Sequence, residues 1–402
     1  MNAALKPRAE TRNPSPGVLQ PIAEHVHEAI ALRHTLHQHP ELAFAEHRTS
    51  ALIASRLSGW GYDVDTGIAS TGVVATLKRG NGTRKLGLRA DIDALPITEA
   101  SGLPYASAAH GTMHACGHDG HTAILLAAAR YLIHHGQFDG TLQLFFQPAE
   151  ETGSGAKRML DEGLLERFPV DAIFGLHNWP GVPAGKFGFV EGPAMASVDW
   201  AKVTVRGKGG HGAEPHTGVD PVLVSAHLIT ALQSVVSRNV DPREMAVVTV
   251  GSIHGGNAAN VIPDEVELKL TIRAFSPAVR EVLRQRITTL AESVAASFGA
   301  RVDLEFPVGF PSVINDPTQT RFAREVAREL FGEDAIEEGL PPRTASEDFA
   351  FFLQQRPGAF IFVGNGDSAS LHNPQYVFND EVIPVAASYW ARLAERFLVE
   401  DA

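Results

Sequence analysis

Strand and helix signals alternate along most of this chain, but between Met195 and about residue 308 the order switches to β-α-β-β-α-β. That switch limits the fold more than any other feature, because each order closes only a few kinds of sheet. Outside it, the runs GVVATLK at 72–78, KLGLRAD at 85–91, GTLQLFFQ at 140–147, DAIFGLH at 171–177 and GAFIFVG at 358–364 read as short buried strands. Helices are expected from His121 to about His135, near 155–164, near 318–331 and near 381–398. Two earlier helices read as covers, one with Ile22, Val26, Ala29, Ile30, the stem of Arg33 and Leu36, the other with Leu52, Ile53, Leu57 and Trp60 before Gly61. The pattern predicts an α/β fold with a mixed, largely parallel sheet flanked by helices.

Within the switched segment, DWAKVTVRGK alternates as a strand, and Asp220 then caps a helix whose first residue is Pro221. MAVVTVGSI and EVELKLTIRAF follow as strands, Ser276 and Pro277 open a second helix, and RVDLEF closes the unit. This is a ferredoxin-like α+β arrangement able to stand as its own domain. With 402 residues, the chain exceeds the roughly 250–300 at which single cores stop growing. Residues 195–308 are therefore expected as an inserted domain, with 18–194 and 309–402 forming the main one. Residues 1–17, polar and Pro-rich, read as a loose leader. A ligand is expected in the cleft between the two domains.

The balance of 34 basic and 46 acidic residues gives a formal charge of −12, which opposes binding to nucleic acid or an anionic membrane. An anionic substrate would then need a local arginine or metal to attract it. The first twenty residues hold no apolar signal region, and no stretch reaches the ~18 apolar residues of a membrane span, so a cytoplasmic protein is expected. Cys116 is the single cysteine and acts, if at all, as a thiol or thiolate.

Chemistry concentrates in HGTMHACGHDGH at 110–121, where four histidines, the cysteine and an aspartate fall within twelve residues. Gly117 and Gly120 let the backbone turn, so Cys116 and His118 can converge just before a helix. Three further positions follow expected strands, where α/β sheets place ligands: Glu150 and Glu151, His177 and His372. Counting one of the two glutamates, five ligand-type side chains suggest a pair of metal ions, since one catalytic zinc takes about three. One glutamate can bind metal while the other receives a proton from water. Asp91 and Asp93 end a strand and read as carboxylates that orient a ligand or the ions. In the inserted segment His211, Asn257, Asn260 and Arg273 offer donors for a substrate carboxylate, with Arg273 as the bidentate partner.

Taken together, RADIDALPI, HACGHDGHTA, QPAEE, GLHNWP, GKGGHGAEPH, GGNAANVIPD and ASEDFAFF make the chain resemble a metallo-amidohydrolase family. That family includes hippurate hydrolases, aminoacylases, N-acetyldiaminopimelate deacetylases and plant indole-acetyl-amino-acid hydrolases. The match runs from about Leu32, in LRHTLHQHPELAFAEHRTS, to His372. The resemblance implies that Cys116, His118, Glu151, His177 and His372 hold two divalent ions, with Glu150 as general base and Asp93 in the catalytic group. The wider group of related metallopeptidases has a histidine ligand where DIDALP puts Asp91, a departure typical of the cysteine-containing branch that argues against a ligand role for Asp91. By the same resemblance His211 stabilises an oxyanion, Asn260 and Arg273 hold the amino acid's α-carboxylate, and the inserted domain serves as lid and dimer contact. A homodimer or homotetramer is implied, in which these three residues can serve a neighbouring subunit.

The expected reaction is hydrolysis of an N-acyl or N-aroyl amino acid, with a dipeptidase or carboxypeptidase as the alternative on the same scaffold. A cysteine ligand favours zinc or another soft ion over magnesium, leaving Zn, Mn, Co and Ni as candidates. A cysteine hydrolase and a non-catalytic metal-binding protein are the rival classes; the first gives the QPAEE glutamates no task and the second does not need Glu150.

Overall fold

A computed structural model describes residues 16–399, so most of the segment read as a leader, residues 1–15, lies outside the described residues. The main sheet has eight strands in the order Asp63–Ile68, Gly72–Arg79, Gly140–Gln147, Lys85–Asp91, Ala172–Pro180, Gly358–Gly366, Phe187–Gly188 and Ile336–Glu337. Its four central strands, from Gly140–Gln147 to Gly358–Gly366, run parallel, and their neighbours on either side are antiparallel. The central strands are buried along nearly their whole length, as apolar runs covered by helices on both faces must be. Parallel direction brings their carboxyl ends to one edge, the place where open α/β sheets carry ligands.

Helix His118–His134 packs under that edge with almost every residue buried. Ala123, Ala128 and Ala129 are fully covered, and these small side chains admit helices Gln20–Gln38 and Val382–Phe397 at close range. The helix begins three residues earlier than the sequence pattern suggests, because Gly117 turns the chain with φ 92° and His118 starts the first turn. Gly120 is required for a different reason from the one read in sequence. It lies inside the helix, and a Cβ there would come 2.3 Å from the Phe378 ring. Arg33 also departs from expectation: its whole side chain is buried, with Nη1 donating to Asp119 Oδ2 at 3.0 Å and Nε 2.5 Å from Asp380 Oδ1.

Residues 197–305 form a four-stranded sheet in the order Ala246–His254, Glu265–Ala274, Ser197–Arg206, Arg301–Glu305, with every pair antiparallel. Alternate residues of Glu265–Ala274 (Val266, Leu268, Leu270, Ile272) are buried against helices Pro221–Asn239 and Pro277–Ser297, which makes a hydrophobic cluster separate from that of the main sheet. Both helices open as the sequence predicts: Asp220 Oδ1 accepts from Val222 N–H at 2.8 Å, Ser276 Oγ accepts from Val279 N–H at 3.4 Å, and each has proline in the first turn. A two-residue ribbon pairs Gly210–His211 with Val261–Ile262 beside this sheet. Among the described residues no helix is long and apolar enough to cross a membrane.

Candidate metal centre

The carboxyl edge of the parallel strands gathers the residues read from sequence. Asp91 ends one strand, Glu150 and Glu151 follow the next, His177 stands near the end of a third, and His372 lies beyond the fourth. Cys116 and His118 enter from the start of the buried helix. Cys116, Glu151 and His372 form one group whose ligand atoms lie within 4.8 Å of one another, and His118, Glu150 and Glu151 form another. Glu151 belongs to both. Its Oε2 is 3.3 Å from His372 Nε2 and its Oε1 is 3.9 Å from His118 Nε2.

Two of the imidazoles are oriented through Nδ1. His118 Nδ1 donates to the Asp93 carbonyl at 2.9 Å and His177 Nδ1 to the Asn178 carbonyl at 2.7 Å, which turns both Nε2 atoms toward the cluster. His177 Nε2 lies 3.4 Å from Cys116 Sγ. His118 Nε2 and Glu151 Oε1 are buried without a hydrogen-bond partner among the described residues. Buried polar atoms are rarely left so, and imidazole nitrogens, a thiol and a carboxylate converging in one place fit softer divalent cations such as zinc. His372 is positioned by a left-handed backbone, φ 64°, held by its N–H donating to Ala115 O at 2.9 Å.

Asp93 fixes the two glutamates. Its Oδ1 accepts from Glu150 N–H and its Oδ2 from Glu151 N–H, each at 3.0 Å. Glu150 projects into a region also occupied by Glu347 and Asp348, the three forming a buried acidic group. Burial and the negative neighbours Glu347, Glu151, Asp348 and Asp93 push the Glu150 carboxyl well above its usual range. Such a group is disposed to take up a proton. His118 is pushed up to about 10: burial opposes protonation, but Asp91, Asp93 and Glu151 outweigh it, so a cation must displace a proton to bind there. Burial, with Glu151 and Glu150 nearby, raises the Cys116 thiol, whereas a nucleophilic cysteine needs the opposite shift. His177 is pushed well below its usual value by burial and by His121, so it offers no imidazolium to a thiolate. Both facts oppose the cysteine-hydrolase reading.

A model of the peptidase family M20/M25/M40 matches residues 87–396. The chain belongs to this family. It is 45% identical over 367 residues to a hippurate hydrolase of Campylobacter jejuni, covering 91% of this chain and 96% of that one. It is 41% identical over 373 residues to an N-acetyl-L-cysteine deacetylase of Bacillus subtilis, covering 92% and 88%. A solved Bacillus subtilis structure, described as a dinuclear metal binding peptidase of the M20 family, superposes with a TM-score of 0.82 at 36% identity, covering 93% of this chain and 99% of that one.

Several residues of this M20 site carried no assigned task in the sequence reading. Arg89, fully buried, donates from Nη1 to Asp91 Oδ2 at 2.7 Å and from Nη2 to Glu347 Oε1 at 2.9 Å, and its Nε reaches Gln147 Oε1 at 2.8 Å. His121 lies between Asp91 Oδ1 at 2.6 Å and Asn178 Oδ1 at 2.7 Å. Asp91 thus has both oxygens engaged within the protein, although with His118, His121 and His177 it also forms a group whose ligand atoms lie within 4.8 Å of one another. Burial would raise Asp91, but His118, His121 and Arg89 override it and hold the group well below the usual range. The ASEDFAFF motif was the available signal for Glu347 and Asp348, and the strand-borne RAD for Arg89.

The proposed substrate residues stand apart from this cluster. His211 and Asn260 are exposed on the small ribbon, where Gly212 N–H donates to Asn260 O at 2.8 Å, and neither contacts the cluster among the described residues. Asn257 is exposed in the same loop. Arg273 comes closer: its Nη1 donates to Ser346 Oγ at 2.5 Å, next to Glu347. A separate groove of about 630 Å³ between helices Gln20–Gln38, His47–Trp60 and His118–His134 contains none of these residues.

Proposed function

We propose that this chain hydrolyses the amide bond of N-acyl or N-aroyl amino acids with two divalent metal ions, releasing a carboxylic acid and a free amino acid. The observation that carries this is a set of bare ligand atoms beside a buried carboxylate, Glu150, hung on the same aspartate as its neighbour Glu151. Cys116, His118, Glu151, His177 and His372 would hold the ions, Glu151 being the residue common to two of the candidate groups. Bound cations supply the positive charge that makes water a nucleophile near neutral pH and polarises the acyl carbonyl. Glu150 accepts the proton of the attacking water and delivers it to the departing amine. Asp93 keeps Glu150 and Glu151 in register. Arg273 takes the amino acid's α-carboxylate, which lets a chain of charge −12 accept an anion.

In this reading the small sheet is a lid and dimer contact, and His211 and Asn260 complete a neighbouring subunit's site by stabilising the oxyanion and the α-carboxylate. Their exposure supports that arrangement, as does the open outer edge of strand Ala246–His254, with Met245 exposed just before its start and Ile253 exposed near its end. A homodimer, or a homotetramer built on it, in a cytoplasmic setting is expected; a fully active monomer in sedimentation would reject the shared site.

The decisive assay strips the protein with chelator, adds back Zn, Mn, Co or Ni, and screens hippurate, N-acetyl amino acids and dipeptides. Metal-dependent cleavage of the N-acyl compounds is expected. Activity that survives chelation rejects the metal mechanism, and cleavage confined to dipeptides replaces this reading with the peptidase alternative.

A further inference from the structure

Several described arginines beside acids are engaged by them: buried Arg89 meets Asp91, Glu347 and Asp348, buried Arg33 meets Asp119 and Asp380, and part-buried Arg280 meets Asp199. Arg343 differs. Its guanidinium lies over the Trp179 indole at 4.8 Å, its Nε is buried without a hydrogen-bond partner, and among the described residues no carboxylate pairs with it. A guanidinium stays charged at every relevant pH, so a half-buried one without a counterion is a recognition element in waiting.

Its position is tied to the site. Trp179 stands two residues beyond His177 on the same strand and so on the same face, with ring centroids 6.0 Å apart. The indole packs edge-on against Phe362 at 5.3 Å, which holds it upright. The Arg343 backbone is pinned on both sides, its N–H donating to Ala194 O at 2.8 Å and its carbonyl accepting from Ala196 N–H at 2.9 Å. Three residues on, Ser346 accepts from Arg273, and Glu347 then reaches Arg89. One loop therefore carries Arg343, holds Arg273 through Ser346 and runs on to Glu347 of the acidic group, and neither guanidinium is paired with a carboxylate among the described residues. A guanidinium lying over an indole can still present its terminal nitrogens to a carboxylate.

We infer that Arg343, stacked on Trp179, recognises a second carboxylate on the substrate, so that the preferred substrates are N-acyl amino acids with two anionic groups. This rests on the amidohydrolase reading above, in which Arg273 takes the α-carboxylate. The second carboxylate can belong to an acidic amino-acid side chain or to the far end of a dicarboxylic acyl group; both present the same chemistry to Arg343.

The test measures kcat and KM of the metal-loaded enzyme for N-acetylglutamate against N-acetylglutamine, and for N-succinylalanine against its succinamoyl amide. In at least one pair the dianion should be favoured by about ten- to a hundredfold in kcat/KM, the scale of a charged hydrogen bond, mainly through KM. The pair showing it identifies the source of the carboxylate. In Arg343→Gln that ratio should fall to near one, and Arg343→Lys should restore part of it; Trp179→Phe, which keeps a ring beneath the guanidinium, should keep most of it. Absence of a dianion preference in both pairs, or a preference unchanged in Arg343→Gln, overturns the inference while leaving the amidohydrolase reading intact. Failure to cleave any N-acyl amino acid with any of the four metals ends both.

Discussion

Two polar clusters meet at the start of helix His118–His134, one residue apart. On the Asp119 side acids face bases: Asp119 Oδ2 accepts from Arg33 and from His37 Nδ1 at 2.9 Å, His37 Nε2 lies 3.1 Å from Glu99, and Arg33 also meets Asp380. On the His118 side Asp91, Glu347 and Asp348 meet Arg89, and Asp93, Glu150 and Glu151 add three more acids close by, so carboxylates far outnumber the guanidinium. Similar residue types thus make a clamp in which three acids meet two bases in one place, and a cage with a much larger acid surplus in the other. Near balance is what a structural network needs, and a large surplus of buried acid asks for cations.

The comparison predicts opposite outcomes for similar substitutions. Glu150→Gln should lose about 10² to 10⁴-fold in kcat while metal analysis shows both ions retained, and its Tm should hold or rise because a crowded buried charge is gone. Asp119→Asn should do the reverse: unfolding in denaturant should show about 3–5 kcal/mol lost, since Arg33 and His37 are left buried without their counterion. A stable Asp119→Asn protein would break the distinction.

Acidity offers a finer probe of the Asp119 side. Asp119 and Glu99, against the penalty of burial, hold His37 up to about 9, above an unfolded value near 6.5. Its stabilising contribution is therefore complete below about pH 6.5 and fades as pH rises through 9, by at most about 3 kcal/mol. Thermal unfolding across that window should show the loss, and His37→Gln should flatten the curve. The smallest effect belongs to the separate sheet: Asp220→Ala removes a helix cap and should lower stability by about 1 kcal/mol with metal content unchanged.

Much of the main site could be read from residue order, because its ligands sit at the ends of strands whose apolar runs are unmistakable. Cys116, His118, Glu151, His177 and His372 were named on that basis together with the family resemblance, and the structure brings them to one edge of the sheet. The β-α-β-β-α-β order likewise yields the antiparallel sheet at 197–305. What escaped depends on pairing across long sequence separations. Nothing in the helical spacing of Ile22 to Leu36 tells that Arg33 turns inward, since Asp119 and Asp380 lie far along the chain. Arg89 meets Glu347 across more than two hundred residues for the same reason. Glu46, whose Oε1 accepts from the N–H of left-handed Ala149 at 2.9 Å just before the two glutamates, gave no local signal at all.

Asp93 ties two fates together. Because its two oxygens carry the amides of consecutive residues, the proton carrier and the cation holder share a single bracket, and neither can drift without the other. An asparagine there keeps one acceptor and turns an N–H toward the second amide, so it would seat one glutamate while pushing its twin out of line.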